Sequence, residues 1–369
     1  MNDNWYLIDN IDELDSPALV VYPQRVKENI EQLKSMIDDV QRLRPHVKTN
    51  KTKEATQLML NAGIKKFKCA TIAEAEMLAL CGAPDVLLAY QPIGPKLHRF
   101  VQLTQQYTAT RFSCLIDNTI SAKAIADAFA ASGATCSVYI DLNVGQNRTG
   151  IVPGEQAIAL YNYCAQLTGI LLAGLHAYDG HIRGPIDERT EACNEAFAPV
   201  EKMKQTLQSM GYTDITIVAG GTPGFPIHAK RKDVECSPGT FIFWDKGYSD
   251  SCPEQPFGVA AILITRVISL PAPTQICIDL GHKSVAAENE LTKRVFFLGA
   301  PQLVPVSQSE EHLVLDAGEG HSFKPGDVLY GVPQHVCPTV ALYERAYTVE
   351  NGKVSAEWRI IARDRKITL

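Results

Sequence analysis

The sequence predicts a parallel (β/α)8 barrel joined to a smaller β-rich domain. Between residues 42 and 245, short β-branched runs alternate with stretches of helical period, giving about eight strands with intervening helices. The first two helical stretches stop at glycines, Gly63 and Gly82, the residue type that ends helices. After Tyr248 the long helices give way to apolar runs punctuated by the turn formers Pro325-Gly-Asp327 and Asn351-Gly352.

Taken in order, residues 44–49 read as the first strand, 54–62 as a helix, 66–70 as a strand and 71–80 as a helix. Thr71-Ile-Ala-Glu74 has the capping-box spacing, which satisfies two otherwise orphaned backbone donors. Residues 85–90 form the next strand, 96–105 a helix and 112–116 a strand. The helix over 121–131 is capped by Asn118 or Thr119. Strand 136–142, helix 156–167, strand 170–177, helix 190–210 and strands 215–219 and 234–243 complete the barrel. Runs at 260–270, 274–279, 294–298 and 312–315 belong to the β-rich domain, and residues 16–21 read as a further strand. The expected division is 18–248 for the barrel and 1–17 plus 249–369 for the β domain, with no repeat or low-complexity linker between them.

Composition narrows the function. With 369 residues, 46% hydrophobic and 21% charged, the chain buries a sizeable core. A net charge of -6 and singly scattered Lys and Arg offer no track for a phosphate backbone, so nucleic acid is not an expected partner. The first ten residues lack the basic end and apolar run of an export signal. The longest apolar runs are too short to span a bilayer, so a soluble, cytoplasmic protein without membrane partners is expected. The ten cysteines are spread singly, with no CxxC pair, and read as free thiols.

Three segments carry chemistry. Arg44-Pro-His-Val-Lys-Thr-Asn-Lys51 runs off the C-terminal end of the first barrel strand, where barrel active sites assemble. A lysine buried there has a lowered pKa and becomes a nucleophile toward an aldehyde; a lysine pointing from the strand end into solvent is the plainer reading of Lys48. Val218-Ala-Gly-Gly-Thr-Pro223 ends the seventh strand, and Ser237-Pro-Gly-Thr240 lies by the eighth. Gly221, Thr222, Gly239 and Thr240 thus offer bare backbone N–H groups and hydroxyls for a phosphate, although each segment alone also reads as a tight turn. In Pro333-Gln-His-Val-Cys-Pro338, His335 and Cys337, two apart on an extended segment, reach one ion together, and imidazole with thiolate suits Zn²⁺ or a similar metal. Glu310, Glu311 and His312 lie in the same domain as candidates to join that shell, or as a solvated turn.

Two further segments flank these. Arg148 follows the fifth strand, where it either faces a phenolate or pairs at the surface. His176-Ala-Tyr-Asp-Gly-His181 leaves the sixth strand; Tyr178 and His181 are pocket candidates, His181 as an acid or base near neutrality, and His176 reads as a strand histidine.

In combination these segments resemble the D-threonine aldolase and D-serine dehydratase family, a branch of the alanine racemase-like (fold type III) pyridoxal phosphate enzymes. The resemblance runs from Leu14-Asp-Ser-Pro17 to Trp358. It implies a barrel of alanine racemase type, Lys48 as the cofactor lysine, Arg148 beside the pyridoxal O3′, Gly220-Gly-Thr222 with Gly239-Thr240 as the phosphate cradle, and His335 and Cys337 as ligands of a divalent metal (Zn, Mn, Mg or Co). It also implies a homodimer and a small D-amino acid substrate. The His-Val-Cys spacing is nearer the dehydratases, whereas Arg44-Pro-His46 and Tyr178-Asp-Gly-His181 are nearer the aldolases. The aldolase base histidine falls where this chain has Gly184, so that role is carried to His181.

Two lyase outcomes share such a site. A base that takes the substrate's 3-hydroxyl proton leads to Cα–Cβ cleavage, giving glycine and an aldehyde. Removal of the α-proton by Lys48 with loss of the hydroxyl gives a 2-oxo acid and ammonia. The aldolase is the main expectation and the dehydratase the alternative. Racemisation needs no metal pair, and a non-catalytic pyridoxal carrier would lack the β domain, so both rank lower.

Overall fold

The computed structural model describes residues 4–369 and divides them into two compact units. Residues 33–48, 56–239 and 364–369 form the first; residues 4–32, 49–55 and 240–363 form the second.

The first unit is built on a seven-stranded parallel sheet: Lys66–Cys69, Asp85–Leu88, Arg111–Ile116, Cys136–Leu142, Ile170–Ala177, Thr216–Ala219 and Val234–Cys236, in that spatial order. Helices cover the sheet, so strands such as Asp85–Leu88 are buried along their length and read as continuous apolar runs. The expected strand over 44–49 is an irregular extended segment, because Pro45 has no N–H for a ladder and the chain turns from Val47 onward. It still closes the ring. Leu43 bridges to Cys236 on one edge and His46 to Lys68 on the other, with Arg44 N donating to Cys236 O at 2.9 Å and Lys68 N to Pro45 O at 2.9 Å. The eighth strand is likewise shorter than expected and ends at Cys236, since Pro238-Gly239 interrupts the ladder.

Local sequence sets the helix starts. Thr71 Oγ1 accepts from Glu74 N at 3.0 Å, and the Glu74 carboxylate reaches back one residue further than in an ideal capping box, to Ala70 N at 2.6 Å. Asn118, rather than Thr119, caps the Thr119–Ala131 helix by accepting from Ser121 N at 2.8 Å.

At the N-terminal end of the strands lies a buried ion network. The fully enclosed Arg44 guanidinium donates to Glu235 (Nε to Oε2, 2.7 Å) and to Asp85, and these carboxylates also pair with Lys66 and Arg111. Burial works against the charged form of Asp85, but Arg44 and Arg111 outweigh it and hold the carboxyl below its usual range.

Between Val138 and Tyr139 the pairing of strands 136–142 and 170–177 slips by one residue, a β-bulge at Ala173. Ala173 packs on the inner cluster of Leu87, Leu115, Tyr139 and Val218, and the bulge then turns His176 and Tyr178 to the cavity side. Only glycine fits next in line: Gly174 has φ +151°, and a Cβ there would lie 1.8 Å from Thr216 O.

The second unit is a nine-stranded mixed sheet organised on the twelve-residue strand Ala261–Ala272. That strand pairs antiparallel with Ala18–Val21 and with Val328–Pro333, and farther along with Gln275–Ile278. Ala18–Val21 also runs parallel to Arg345–Glu350. The core gathers Tyr6, Val20, Tyr22, Ile262, Ile264 and Val332. Among the described residues no helix is long and apolar enough to cross a membrane, and all ten cysteines are free.

Candidate active site

A cavity of about 300 Å³ opens in the barrel unit, at the small end of the range for ligand pockets. Its lining comes from the C-terminal ends of successive strands: Lys68 and Ala70, Ala89 and Tyr90, Asp141, then His176 and Tyr178. This is where a barrel assembles chemistry, because side chains from several strands converge there on flexible loops.

Lys48 reaches the cavity from the closing segment. It is half-buried rather than projecting into solvent, and its backbone N–H donates to His46 Nδ1 at 3.3 Å. Arg148 lines the same cavity, its guanidinium 5.2 Å from the centroid of the Tyr178 ring. The loop carrying Arg148 is shaped by Asn143, whose Oδ1 accepts from Gly145 N and Asn147 N, each at 3.1 Å. His181 is exposed outside the lining, its Nε2 packed on Gly145, where a Cβ would sit 2.7 Å away.

The glycine turns are close to Tyr178 as well. A Cβ on Gly221 would stand 3.0 Å from the tyrosine ring, so the bare backbone is what lets Tyr178 lie there. Thr222 Oγ1 accepts from Gly239 N at 3.1 Å, and the buried Ser237 hydroxyl of the same turn has no hydrogen-bond partner among the described residues. A buried hydroxyl left without a partner beside buried glycine backbone, where no Cβ blocks close approach, fits a phosphate-bearing occupant. Thr240 opens a short 3-10 turn in the other unit, its hydroxyl 3.6 Å from Cys337 Sγ.

His335 and Cys337 differ from expectation in their local structure. Val336–Leu342 is a helix with His335 at its N-cap position, so the pair stands on a helix start and not on an extended segment. The orphan N–H of Val336 is satisfied by Asp245 Oδ2 at 3.0 Å, which lets the helix begin there despite Pro338. Cys337 Sγ lies 3.1 Å from Thr49 Oγ1. His335 Nδ1 is 2.6 Å from Glu288 Oε1. Burial opposes the imidazolium of His335, but the bond to Cys337 and its charge, then Glu288 and Asp245, outweigh burial and raise it to about 9. Imidazole plus thiol is a donor set for a zinc-like ion, and a carboxylate on the far ring nitrogen is the usual support of a metal-binding histidine. Glu310 and Glu311 are exposed and pair with Lys283, so the carboxylate beside His335 is Glu288.

Sequence reasoning missed Lys68, Asp141, Glu288 and Asp245. Lys66-Phe-Lys68 and Val138-Tyr-Ile-Asp141 did carry a signal, a charge inside an otherwise buried parallel strand. Glu288 and Asp245 carried none.

One family match covers most of the chain: the alanine racemase N-terminal domain, over residues 21–246. The chain belongs to the alanine racemase N-terminal domain family. A second match, to a serine dehydratase domain, covers residues 260–349, and the fold is accordingly alanine racemase-like with a separate β-rich domain. This family member is 29% identical to a D-threonine aldolase from Arthrobacter sp. over 363 residues, 96% of this chain and 94% of that one. It is 24% identical to D-threo-3-hydroxyaspartate dehydratase from Delftia sp. (strain HT23), covering 91% of this chain and 94% of the relative. Among solved structures, D-threonine aldolase from Filomicrobium marinum superimposes with a TM-score of 0.87 at 26% identity, over 95% of this chain and 96% of that one. The Delftia dehydratase shares the fold, with a TM-score of 0.81 at 22% identity over 94% and 97% of the two chains. A D-threo-3-hydroxyaspartate dehydratase with a cysteine-to-alanine mutation, solved in the metal-free form, shares the fold as well.

Proposed function

We propose that this protein is a pyridoxal phosphate- and divalent metal-dependent lyase of D-3-hydroxy amino acids, of the D-threonine aldolase type. The observation that carries the reading is a barrel cavity holding Lys48, Arg148 and Tyr178, in a chain similar along nearly its whole length to a D-threonine aldolase.

The cofactor, when bound, serves as the electron sink for breaking a bond at the substrate's α-carbon. Lys48 is the amine that anchors it. Arg148 sets a fixed positive charge toward its phenolate oxygen, and Tyr178 lies against Gly221 and bounds the ring's space. Gly221, Thr222 and Gly239 provide the phosphate end. His335 and Cys337, with Glu288 orienting the imidazole, would hold a metal whose Lewis acidity acidifies a substrate hydroxyl. His181, one residue in space from the cavity-lining Gln146 through Gly145, is assigned the hydroxyl proton. The same reading takes the protein to work in the cytoplasm as a homodimer, the family resemblance supporting the dimer.

A dehydratase is the second reading, favoured by the match to a serine dehydratase domain and the His-Val-Cys spacing. The deciding experiment incubates purified protein with pyridoxal phosphate and Mn²⁺ or Zn²⁺ on D-threonine and D-serine, with and without a chelator. Glycine and acetaldehyde, lost on chelation, establish the aldolase. Pyruvate or 2-oxobutanoate with ammonia establish the dehydratase, and no metal-dependent product overturns both.

A further inference from the structure

Asp141, His176 and Lys68 form a hydrogen-bonded chain in the cavity wall that the roles assigned above do not use. His176 Nδ1 lies 2.7 Å from Asp141 Oδ1, and His176 Nε2 lies 3.4 Å from Lys68 Nζ. All three side chains are buried, with Lys68 only 2% exposed, yet all three line the cavity. A buried lysine that serves packing is normally neutralised by a carboxylate. Here the only hydrogen-bond partner of the amine among the described residues is the imidazole.

The direction of each bond follows from charge. Burial opposes ionisation of Asp141, but the His176 bond and charge outweigh it and keep the carboxyl low, so Asp141 accepts from the Nδ1–H. That fixes the tautomer and turns the Nε2 lone pair toward Lys68. Burial, and next the nearby Lys68 charge, keep His176 below its ordinary value despite the Asp141 bond. Burial foremost and the Lys48 charge next lower Lys68 to about 7, with Arg44 adding to this and Asp141 and Asp179 opposing it. Tyr178 adds its ring face, 5.6 Å from Nζ. Amine and imidazole thus face each other as one coupled pair, 3.4 Å apart.

We propose that Lys68 is a second proton-carrying residue of this cavity, which exchanges one proton with the cavity's occupant and relays it with His176, whose ring Asp141 holds. The exchange moves a proton and no electrons: Lys68 ammonium becomes amine as an occupant heteroatom gains a proton, and the reverse step restores it. The proposal rests on the lyase reading only for what occupies the cavity.

Its test uses full-length protein labelled with 13Cε-lysine, titrated by NMR before and after loading with pyridoxal phosphate. One lysine resonance should titrate near pH 7 before loading, be missing in Lys68→Met, and shift to lower pH in Asp141→Asn, because removing the carboxylate removes a stabiliser of the ammonium. In the loaded enzyme, the visible absorbance of the cofactor should titrate in the wild type and lose that midpoint in Lys68→Met. With any lyase turnover, kcat/KM should fall about 100-fold and lose its near-neutral limb. Lysine resonances that all titrate above about pH 9.5, near the ordinary lysine value, would overturn the proposal, as would a limb that survives Lys68→Met. The wild-type titration decides even if the variants do not fold. It also decides if no lyase product is found, in which case the aldolase and dehydratase readings fall separately.

Discussion

Replacing Arg44 with methionine removes the only fully enclosed cation of the network at the N-terminal end of the barrel, and its cost can be worked from the partners left behind. Arg44 is 0% exposed, and Asp85 and Glu235, which it joins, are 9% and 10% exposed. Breaking a buried pair by removing one partner costs about 3–5 kcal/mol, mostly because the other charge stays buried. Here each carboxylate keeps a second partner nearer solvent, Arg111 at 62% exposure and Lys66 at 28%. The lower end, about 3 kcal/mol, is therefore expected, or about 6–12 °C in Tm for a unit of this size. Arg44→Lys should lose less, since it keeps the charge but not the fork that reaches both acids. The pH dependence adds a sign. Asp85 is depressed in the folded state, so its contribution is full above the unfolded carboxyl value of about 3.9 and is lost as pH falls below it. Arg44→Met should flatten that acid limb. Trp5, Trp244 and Trp358 all lie in the β-rich unit, whereas most helices lie in the barrel unit. Far-UV circular dichroism in urea thus follows the barrel while tryptophan fluorescence follows its neighbour. A loss under about 1 kcal/mol, or an unchanged acid limb, would refute the network's role.

Gly174→Ala should cost about 3 kcal/mol or more, because its Cβ would meet the Thr216 carbonyl in a backbone conformation that disfavours side chains; a Tm within a degree of wild type would exclude the bulge described for this strand. Thr71→Ala should cost about 1 kcal/mol through loss of the cap, measured by urea midpoint at unchanged slope. Lys48→Ala should abolish the visible band of bound cofactor; a retained band would remove Lys48 from its assigned role. Glu288→Gln should weaken metal binding by about 10- to 100-fold in a direct titration, and unchanged affinity would mean that the carboxylate does not support His335.

How legible the site was differs from residue to residue. Lys48, Arg148 and Tyr178 stood out because each lies at or beyond the C-terminal end of an expected strand, and a side chain there reaches a barrel's mouth whatever its neighbours are. Lys68 and Asp141 were passed over because a charge inside a strand run reads first as an irregularity; their meaning depends on His176 coming from a third strand. The His335–Cys337 segment was noticed for its chemistry and misjudged in its conformation. Its helix start depends on Asp245, ninety-one positions away in sequence, accepting from Val336 N.

What the sequence by itself determined is the order of strands and helices, the change of texture after Tyr248 and the stations of the chemistry-bearing residues, since periodicity, caps and breakers are local properties of the chain. Only the tertiary structure decided which way those residues face and whom they meet. The ring is closed by an irregular, proline-containing segment in place of the expected regular strand, bonded on both edges to partners about twenty and two hundred residues away. The one-residue bulge at Ala173 reverses the alternation of its strand, and so a single backbone irregularity, fixed by the neighbouring strands and not by local propensity, brings His176 into line with Asp141 and Lys68.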